Sequence, residues 1–200
     1  MKRLFDIIAA LALIALSAPL FLGVALLIVV LSGRPVLFRH RRVGRAGQPF
    51  SCLKFRTMVI GAEDWLSEDE RLLAEHRKNG FKLPLAQDPR VTSVGRFLRR
   101  TQLDELPQLW NVITGDMSLV GPRPLVEEEL GWFEGDAAHQ LLTVRPGIFG
   151  PWTALGRRRP GYPERAEVDL SYVGRASLIG DLGLILAHVP VLLQGQSDDS

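Results

Sequence analysis

The chain has 200 residues and a formal net charge of only +2, which is enough length for one domain with a moderate core and too little charge for a polybasic nucleic-acid binder. Its 20 arginines outnumber its four lysines, and arginine grips phosphate or carboxylate groups with a planar fork of donors, although GC-rich codon usage explains the same bias. Cys52 is the only cysteine, so an internal disulfide is excluded, and the four histidines lie too far apart for a zinc motif.

The first predicted element is an apolar helix at the N-terminus. Residues 7–31 contain no charged side chain, and a run of this length exceeds the roughly 20 apolar residues that cross a bilayer. Basic residues lie on both sides of the run: Lys2, Arg3, Arg34, Arg39, Arg41, Arg42 and Arg45. Because positive flanks favour the cytoplasm, both ends are expected on the same side of the membrane.

Ser17 and Pro19 lie near the middle of this apolar run. Proline cannot donate a backbone hydrogen bond, and a nearby serine hydroxyl can satisfy the freed carbonyl, so the pair predicts a helix break. Each arm then measures about 18 Å, which is too short for ~30 Å of hydrocarbon. We therefore predict a re-entrant helix-break-helix over residues 1–33, with a kinked spanning helix as the alternative.

The rest of the chain is predicted to form a catalytic domain over residues 34–195 and a flexible tail over 196–200. Residues 35–58 read as a β-hairpin with a basic, glycine-containing turn, and residues 62–79 as a helix that stops at Gly80. Residues 88–115 read as a turn followed by helical pieces, and residues 176–195 as an apolar segment suited to the core or the membrane interface. The predicted class is α+β, mostly helical, with interfacial amphipathic helices.

The stretch "DELPQ" places two adjacent carboxylates, Asp104 and Glu105, just before a proline. One explanation is structural: Thr101 caps a helix and Asp104 neutralises free N–H groups in its first turn. The other is chemical, because several arginines lie close upstream and two carboxylates amid positive charge can stay ionised and hold a hard cation. Asp104 and Glu105 are therefore candidate ligands for Mg²⁺.

A second motif, "GDMSLVGPRP", fixes Arg123 between two prolines. Restricted backbone on both sides leaves the arginine less freedom to lose when it grips an anion, although a rigid turn with a solvated arginine gives the same letters. Farther along, "GRRRP" places three arginines in a row, of which a single member could bind a phosphate. The chain has neither a Walker loop nor a dinucleotide fingerprint.

Several segments, taken in order, resemble the bacterial sugar transferases, the small monotopic phosphoglycosyl transferases. These segments are "RPVLFRHRRVGRAGQPFSCLKFRTM", "DPRVTSVGRFLRRTQLDELPQLWNVITGDMSLVGPRP", "RPGIFG" and "EVDLSYVGRASLIGDLGLIL". The family's Asp-Glu dyad falls on Asp104 and Glu105, and the arginine of its Pro-Arg-Pro motif on Arg123. Its Lys-Phe-Arg stretch falls on Lys54 to Arg56, and its Gly-Arg pair on Gly156 and Arg157. Its Ser-Pro helix break matches Ser17 and Pro19 here, separated by Ala18.

The resemblance implies transfer of a sugar-1-phosphate from a UDP-sugar to undecaprenyl phosphate, through an aspartyl-phosphosugar on Asp104, with release of UMP. It implies a need for Mg²⁺ and a location on the cytoplasmic face of the bacterial inner membrane, at the first membrane step of glycoconjugate synthesis. Lys54, Arg56, Arg123 and Arg157 become candidate phosphate-binding residues. The competing hypotheses are a membrane-tethered anion-binding scaffold and an aspartyl-phosphate phosphohydrolase. The sugar is left undefined, and a homodimer is left open.

Overall fold

The structure of the protein, a computed structural model, describes residues 1–78 and 83–194, without the side chains of residues 77, 78, 157, 193 and 194. The predicted helix stop at Gly80 and the predicted tail over 196–200 lie outside the described residues. The helices are α1 Lys2–Ser32, α2 Ala62–Glu68, α3 Glu70–Lys78, α4 Ser93–Arg100, α5 Gln108–Thr114, α6 Ala137–Leu141, α7 Pro151–Ala154, α8 Glu164–Leu170 and α9 Leu178–Gln194, and the strands are β1 Leu37–Val43, β2 Pro49–Phe55, β3 Ser118–Val120 and β4 Gly147–Phe149. Helices dominate and the strands are short, so the predicted α+β, mostly helical class is confirmed.

Helix α1 contains the long apolar run. It continues through Pro19, so the predicted break does not interrupt the helical secondary structure. Proline 19 leaves the Ala15 carbonyl without its usual helical donor, whereas the Ser17 hydroxyl donates to the Leu13 carbonyl at 2.7 Å. In the described part of the chain, α1 is long enough and apolar enough to cross a membrane, by length and composition alone.

Both ends of α1 are attached to the same folded body. At the N-terminal end, the Arg3 guanidinium donates hydrogen bonds of 2.6 and 2.9 Å to two carbonyls in the last turns of α5. At the C-terminal end, the Arg56 guanidinium donates to the carbonyls of Ser32 and Gly33 at 2.6 and 2.7 Å. Cations favour the carbonyl end of a helix, so each contact joins an arginine to a helix terminus that attracts it.

The buried face of α1 contributes to two hydrophobic clusters. Ala10 packs in a cluster that includes Leu109 and Val112 of α5, while Val24 and Ile28 belong to a second cluster. The second cluster also contains Phe55, Val94 and Leu98, and the Phe21 ring lies 4.6 Å from that of Phe55 between ring centroids. Side chains on the opposite face of α1 are exposed along its length, which leaves a continuous apolar surface: Leu4, Ile8, Leu11, Leu16, Leu22, Leu26 and Val30.

The predicted hairpin is confirmed. Strands β1 and β2 pair antiparallel, with Leu37 opposite Phe55 and Val43 opposite Pro49. The turn between them holds Ala46 at φ 56° and Gly47 at φ 73°, and the left-handed region suits a glycine-containing turn. β2 therefore starts at a fixed register and delivers Lys54 to the end of the hairpin that lies nearest to the carboxylates.

A second sheet joins two segments for which the sequence analysis predicted no strand. Strands β3 and β4 pair parallel, with Ser118 opposite Gly147 and Val120 opposite Phe149. The backbones approach closely beside them, since a Cβ on Gly147 would lie 2.1 Å from the Gly121 nitrogen. Glycine at these positions lets the loop after β3 turn back, and this loop carries Arg123.

Candidate functional site

Asp104 and Glu105 lie on a single 3₁₀ turn, Leu103–Glu105, between α4 and α5. The turn begins after Gln102, whose φ of 57° redirects the chain. Thr101 does not cap the following helix, as the structural explanation of Asp104 required: it ends α4, and its hydroxyl donates to the Phe97 carbonyl at 2.9 Å. Asp104 is therefore not a residue of a Thr101-capped first turn, which weakens the purely structural explanation of this carboxylate.

Lys54 at the end of β2 joins the two carboxylates. Its ammonium lies 2.7 Å from Glu105 Oε1 and 3.9 Å from Asp104 Oδ2. Two residues that are adjacent in sequence thus share one cation from a different element, and the contact requires the β-hairpin and the 3₁₀ turn to pack together. Three of the residues that the sequence predicted, Lys54, Asp104 and Glu105, are in contact.

The two carboxyl groups have different electrostatic environments. Burial raises the pKa of Asp104 to about 6, with Glu105 adding to the shift while Lys54 and Arg99 oppose it. Glu105 is also desolvated, but Lys54, Arg123 and Arg42 outweigh that cost and hold its pKa well below the usual range. Glu105 is therefore firmly anionic at neutral pH, and Asp104 carries the less compensated charge.

Arg123 faces the Glu105 side of the site. Its guanidinium carbon lies 5.9 Å from the centroid of the Trp152 ring, and the nearby Glu105 and Glu129 carboxylates favour its charged form. Despite burial, the net result is a raised pKa for Arg123. A fixed, fully charged guanidinium beside two carboxylates suits a site that receives a phosphate.

The sequence analysis missed several charged residues around the site. Glu129 lies between two arginines, at 3.4 Å from Arg42 and 2.8 Å from Arg165, and it positions both beside the Pro-Arg-Pro loop. On the other flank, Arg99 donates to the Thr57 hydroxyl at 2.9 Å and acts electrostatically on Asp104. The only signal in the sequence was the density of arginine, which does not say which residues converge.

Arg56 and Arg157 were also predicted to bind phosphate, and the structure supports that role less directly for these two residues. The hydrogen bonds of Arg56 go to carbonyls at the end of α1, so the observed role of its guanidinium is to hold that end of the helix. The Arg157 side chain lies outside the described residues, although Gly156 before it adopts a left-handed φ of 58°. Arg56 still lines the same cavity as the carboxylates.

A cavity of about 1050 Å³ connects the charged residues to α1. Asp104, Glu105 and Arg123 line it together with Leu13 and Ser17 from the middle of the apolar helix. Ligand sites of drug size occupy about 300–1,000 Å³, so this space can hold a large substrate or parts of two. Its lining combines these charged groups with apolar side chains, among them Leu13, Leu106 and Phe149, which fits a substrate with an anionic head and an apolar tail.

The carboxylate pair also fits magnesium. Mg²⁺ is usually held by one or two carboxylates while substrate phosphates and water fill the remaining positions. Asp104 and Glu105 supply two such oxygens on one turn beside the cavity. Within the described ranges, no cluster of three or more His, Cys, Asp or Glu side chains forms an all-protein metal cage. The donor set therefore suits a cation that is shared with a substrate.

The sequence is similar to those of proteins from one family. The sequence model of the bacterial sugar transferase family matches residues 1–195. The chain is 46% identical over 193 residues to the exopolysaccharide production protein ExoY of Sinorhizobium fredii, with 96% of this chain and 84% of ExoY covered. It is 41% identical over 198 residues to the UDP-galactose-lipid carrier transferase of Erwinia amylovora, covering 97% of this chain but 40% of that protein. It is also 41% identical to the UDP-glucose:undecaprenyl-phosphate glucose-1-phosphate transferase of Caulobacter vibrioides, covering 96% of this chain and 69% of that one.

Proposed function

Because the chain belongs to the bacterial sugar transferase family, we propose that it transfers a sugar-1-phosphate from a UDP-sugar to undecaprenyl phosphate and releases UMP. The observation that carries the proposal is the convergence of Asp104, Glu105, Lys54 and Arg123 on one cavity with an apolar wall. The names of two relatives support both substrates: a UDP-galactose-lipid carrier transferase and a UDP-glucose:undecaprenyl-phosphate transferase. The product is the first lipid-linked intermediate of a bacterial glycoconjugate such as an exopolysaccharide.

The reaction proceeds in two displacements at one phosphorus atom. A carboxylate oxygen of Asp104 attacks the sugar-bearing phosphorus, and the bond from that phosphorus to the UMP oxygen breaks, with the electron pair leaving on UMP. A phosphate oxygen of the polyprenyl phosphate then attacks the same phosphorus and displaces the Asp104 carboxylate. A covalent intermediate divides one difficult transfer into two easier ones. The nucleophile is the ionised carboxylate of Asp104, and the Lys54 ammonium at 3.9 Å favours that form.

The neighbouring charges have distinct tasks in this scheme. Lys54 and Arg123 neutralise the diphosphate as an anionic nucleophile approaches it. Glu105, held anionic by Lys54, is a poor proton acceptor and a good oxygen ligand for a cation. Asp104 and Glu105 would hold Mg²⁺, which supplies positive charge to the phosphates of the bound donor. Lys54 also keeps the two carboxylates close together despite their mutual repulsion.

The membrane attachment that fits these contacts is monotopic. A straight spanning helix would carry one end of α1 about 30 Å away from the domain, whereas both ends contact it through Arg3 and Arg56. This arrangement supports a re-entrant α1 that bends near Pro19 and returns to the cytoplasmic face. Helix α9 adds exposed apolar side chains suited to the interface, among them Ile179, Leu182 and Leu186. The acceptor phosphate would then lie at the depth of the cavity.

The covalent intermediate is tested with purified protein, radiolabelled UDP-sugar and no acceptor. Wild type should retain label on the protein and release one equivalent of UMP, whereas Asp104→Asn should do neither. Asp136→Asn, which changes an exposed carboxylate that precedes α6 and does not line the cavity, is the matched control and should behave like wild type. Turnover by Asp104→Asn would refute the scheme.

The same assay separates the competing functions. A phosphohydrolase would release free sugar phosphate or inorganic phosphate without an acceptor, and the lipid would stay unlabelled. A membrane-tethered scaffold would release no UMP, and removal of Mg²⁺ by a chelator would change nothing. Assaying UMP release with a panel that includes UDP-galactose and UDP-glucose identifies the sugar.

A further inference from the structure

The triple-arginine run after α7 reaches the cavity through its last member. Gly156 turns the chain at a φ of 58°, and a Cβ there would also meet Val191 at 3.2 Å. The Trp152 indole N–H then donates to the Pro160 carbonyl at 2.8 Å, which fixes the backbone just after Arg159. Arg159 lines the cavity that contains Glu105 and Arg123, while its neighbour Arg158 is exposed.

The Arg159 guanidinium lacks the partners that arginines usually have. Its carbon lies 5.1 Å from the centroid of the Trp152 ring, yet its Nε is buried and has no hydrogen-bond partner in the structure. Among the described residues it forms no ion pair with a carboxylate. Arg165, which packs on the same ring at 4.4 Å, also has buried nitrogens without a hydrogen-bond partner, but it forms an ion pair with Glu129 at 2.8 Å. A buried donor without a partner is costly, so a ligand at this position would stabilise the site.

Arg123 shares this condition. Within the described chain, its guanidinium makes neither a hydrogen bond nor an ion pair, although it also lies beside Trp152, at 5.9 Å. Two guanidinium groups next to one ring repel each other, and the pKa of Arg159 is lowered by burial and then by Arg123. The Glu105 carboxylate relieves part of this repulsion, but Glu105 is already paired with Lys54 at 2.7 Å. In the part of the chain that the structure describes, Arg159 and Arg123 therefore both have guanidinium donors without a protein partner.

We propose that Arg159 and Arg123 form a two-arginine clamp that binds a phosphate group of a substrate, with the Trp152 ring as its support. The proposal rests on the proposed function, because both substrates of that reaction carry phosphate: the diphosphate of the nucleotide sugar and the monophosphate of the lipid acceptor. Guanidinium forks bind phosphate oxygens with parallel hydrogen bonds, and the unpartnered Nε of Arg159 is such a donor. Arg159 is thus assigned as the phosphate ligand of the triple-arginine run.

The test compares Arg159→Gln with Arg158→Gln, which removes the same charge from the exposed neighbour. Binding of UDP is measured by calorimetry on the full chain, and KM is measured for the UDP-sugar and for undecaprenyl phosphate. Loss of a charged hydrogen-bond donor predicts a ten- to hundredfold weakening toward the phosphate that the clamp holds. Arg158→Gln should stay within twofold of wild type in all three measurements.

The pattern of changes identifies the phosphate. Weaker UDP binding and a raised KM for the UDP-sugar assign the clamp to the donor, whereas a raised KM for undecaprenyl phosphate alone assigns it to the acceptor. If none of the three changes by more than twofold, or if Arg158→Gln matches Arg159→Gln, the clamp is refuted. Where Arg159→Gln lowers the melting temperature by several degrees, Arg159→Lys, which keeps the charge but not the fork, carries the test and should weaken binding to a smaller degree.

The calorimetric measurement keeps this proposal separate from the enzymatic one. If wild type binds UDP and Arg159→Gln binds it more weakly while no sugar phosphate is transferred, the clamp stands and the proposed function fails. If transfer proceeds and Arg159→Gln behaves as wild type in every measurement, the proposed function stands and the clamp fails.

Discussion

Replacing Arg56 by methionine should destabilise the protein and leave the KM for the UDP-sugar donor nearly unchanged. The guanidinium makes two short hydrogen bonds, 2.6 and 2.7 Å, to carbonyls at the end of α1. A hydrogen bond to a charged group contributes about 1.5–3 kcal/mol, and water can reach these partly exposed carbonyls once the arginine is gone, so the loss lies near the lower end, about 3 kcal/mol in total. For a chain of this length, that corresponds to a fall of about 6–12 °C in the melting temperature.

The assay is thermal unfolding in detergent together with KM for the UDP-sugar. Arg56→Met should lower the melting temperature by that amount while KM for the donor stays within threefold. Arg41→Met removes an exposed arginine from the same hairpin and should change neither quantity. An unchanged melting temperature with a tenfold higher KM for the donor would refute the proposed contact of Arg56 with α1 as its main role. It would instead support the phosphate-binding role that the sequence suggested for Arg56.

Two further predictions concern the buried polar side chains Asn111 and Asp169, which lie outside the Asp104–Glu105 pair. Asn111→Leu should lower the free energy of unfolding by about 3 kcal/mol, since the Asn111 amide accepts from the Leu53 N–H at 2.9 Å and donates to the Ser51 carbonyl at 2.8 Å. Denaturant unfolding checks this, and Gln140→Leu, which replaces an exposed amide on α6, should cost under about 0.5 kcal/mol. Burial raises the pKa of Asp169 to about 6. As pH falls, the folded protein therefore protonates Asp169 before the unfolded chain does, so the free energy of unfolding should rise by roughly 2 kcal/mol between pH 7.5 and pH 4.5. Asp169→Asn should lack this gain, and a variant whose stability varies with pH as steeply as that of wild type would contradict the assignment.

The sequence predicted those helices and strands whose conformation is decided by residues close together in the chain. The hairpin over 35–58 appears as β1 and β2 because its alternation and its turn glycines lie close together in sequence. The helix predicted over 62–79 divides into α2 and α3, since Asp69 adopts an extended conformation between them. The apolar segment over 176–195 is largely the helix α9. In each case, the residues that decide the conformation are within a few positions of one another.

Pairings between distant segments could not be predicted in this way. Strands β3 and β4 have three residues each and lie 26 residues apart, so neither shows a period of its own. The sequence brought forward Asp104, Glu105, Lys54 and Arg123 through motif resemblance, and the structure places them around one cavity. Chain order alone could not show that Arg56 would be bound by the end of α1, nor that Arg159 would meet Trp152, because both contacts follow from tertiary packing.

The Lys-Phe-Arg stretch at the end of β2 joins α1 to the carboxylates. Lys54 pairs with Glu105, Phe55 packs on Phe21 of α1, and Arg56 binds the carbonyls where α1 ends. Three consecutive residues therefore couple the position of α1 to the position of the ammonium that compensates Asp104 and Glu105. Because Phe55 and Arg56 contact α1 and Lys54 contacts Glu105, a shift of α1 relative to the domain would move β2 and change the charge balance at Asp104. Under the proposed function, in which the acceptor is a lipid phosphate, this coupling gives a reason for Lys54, the cation that pairs with the carboxylates, to lie next to α1.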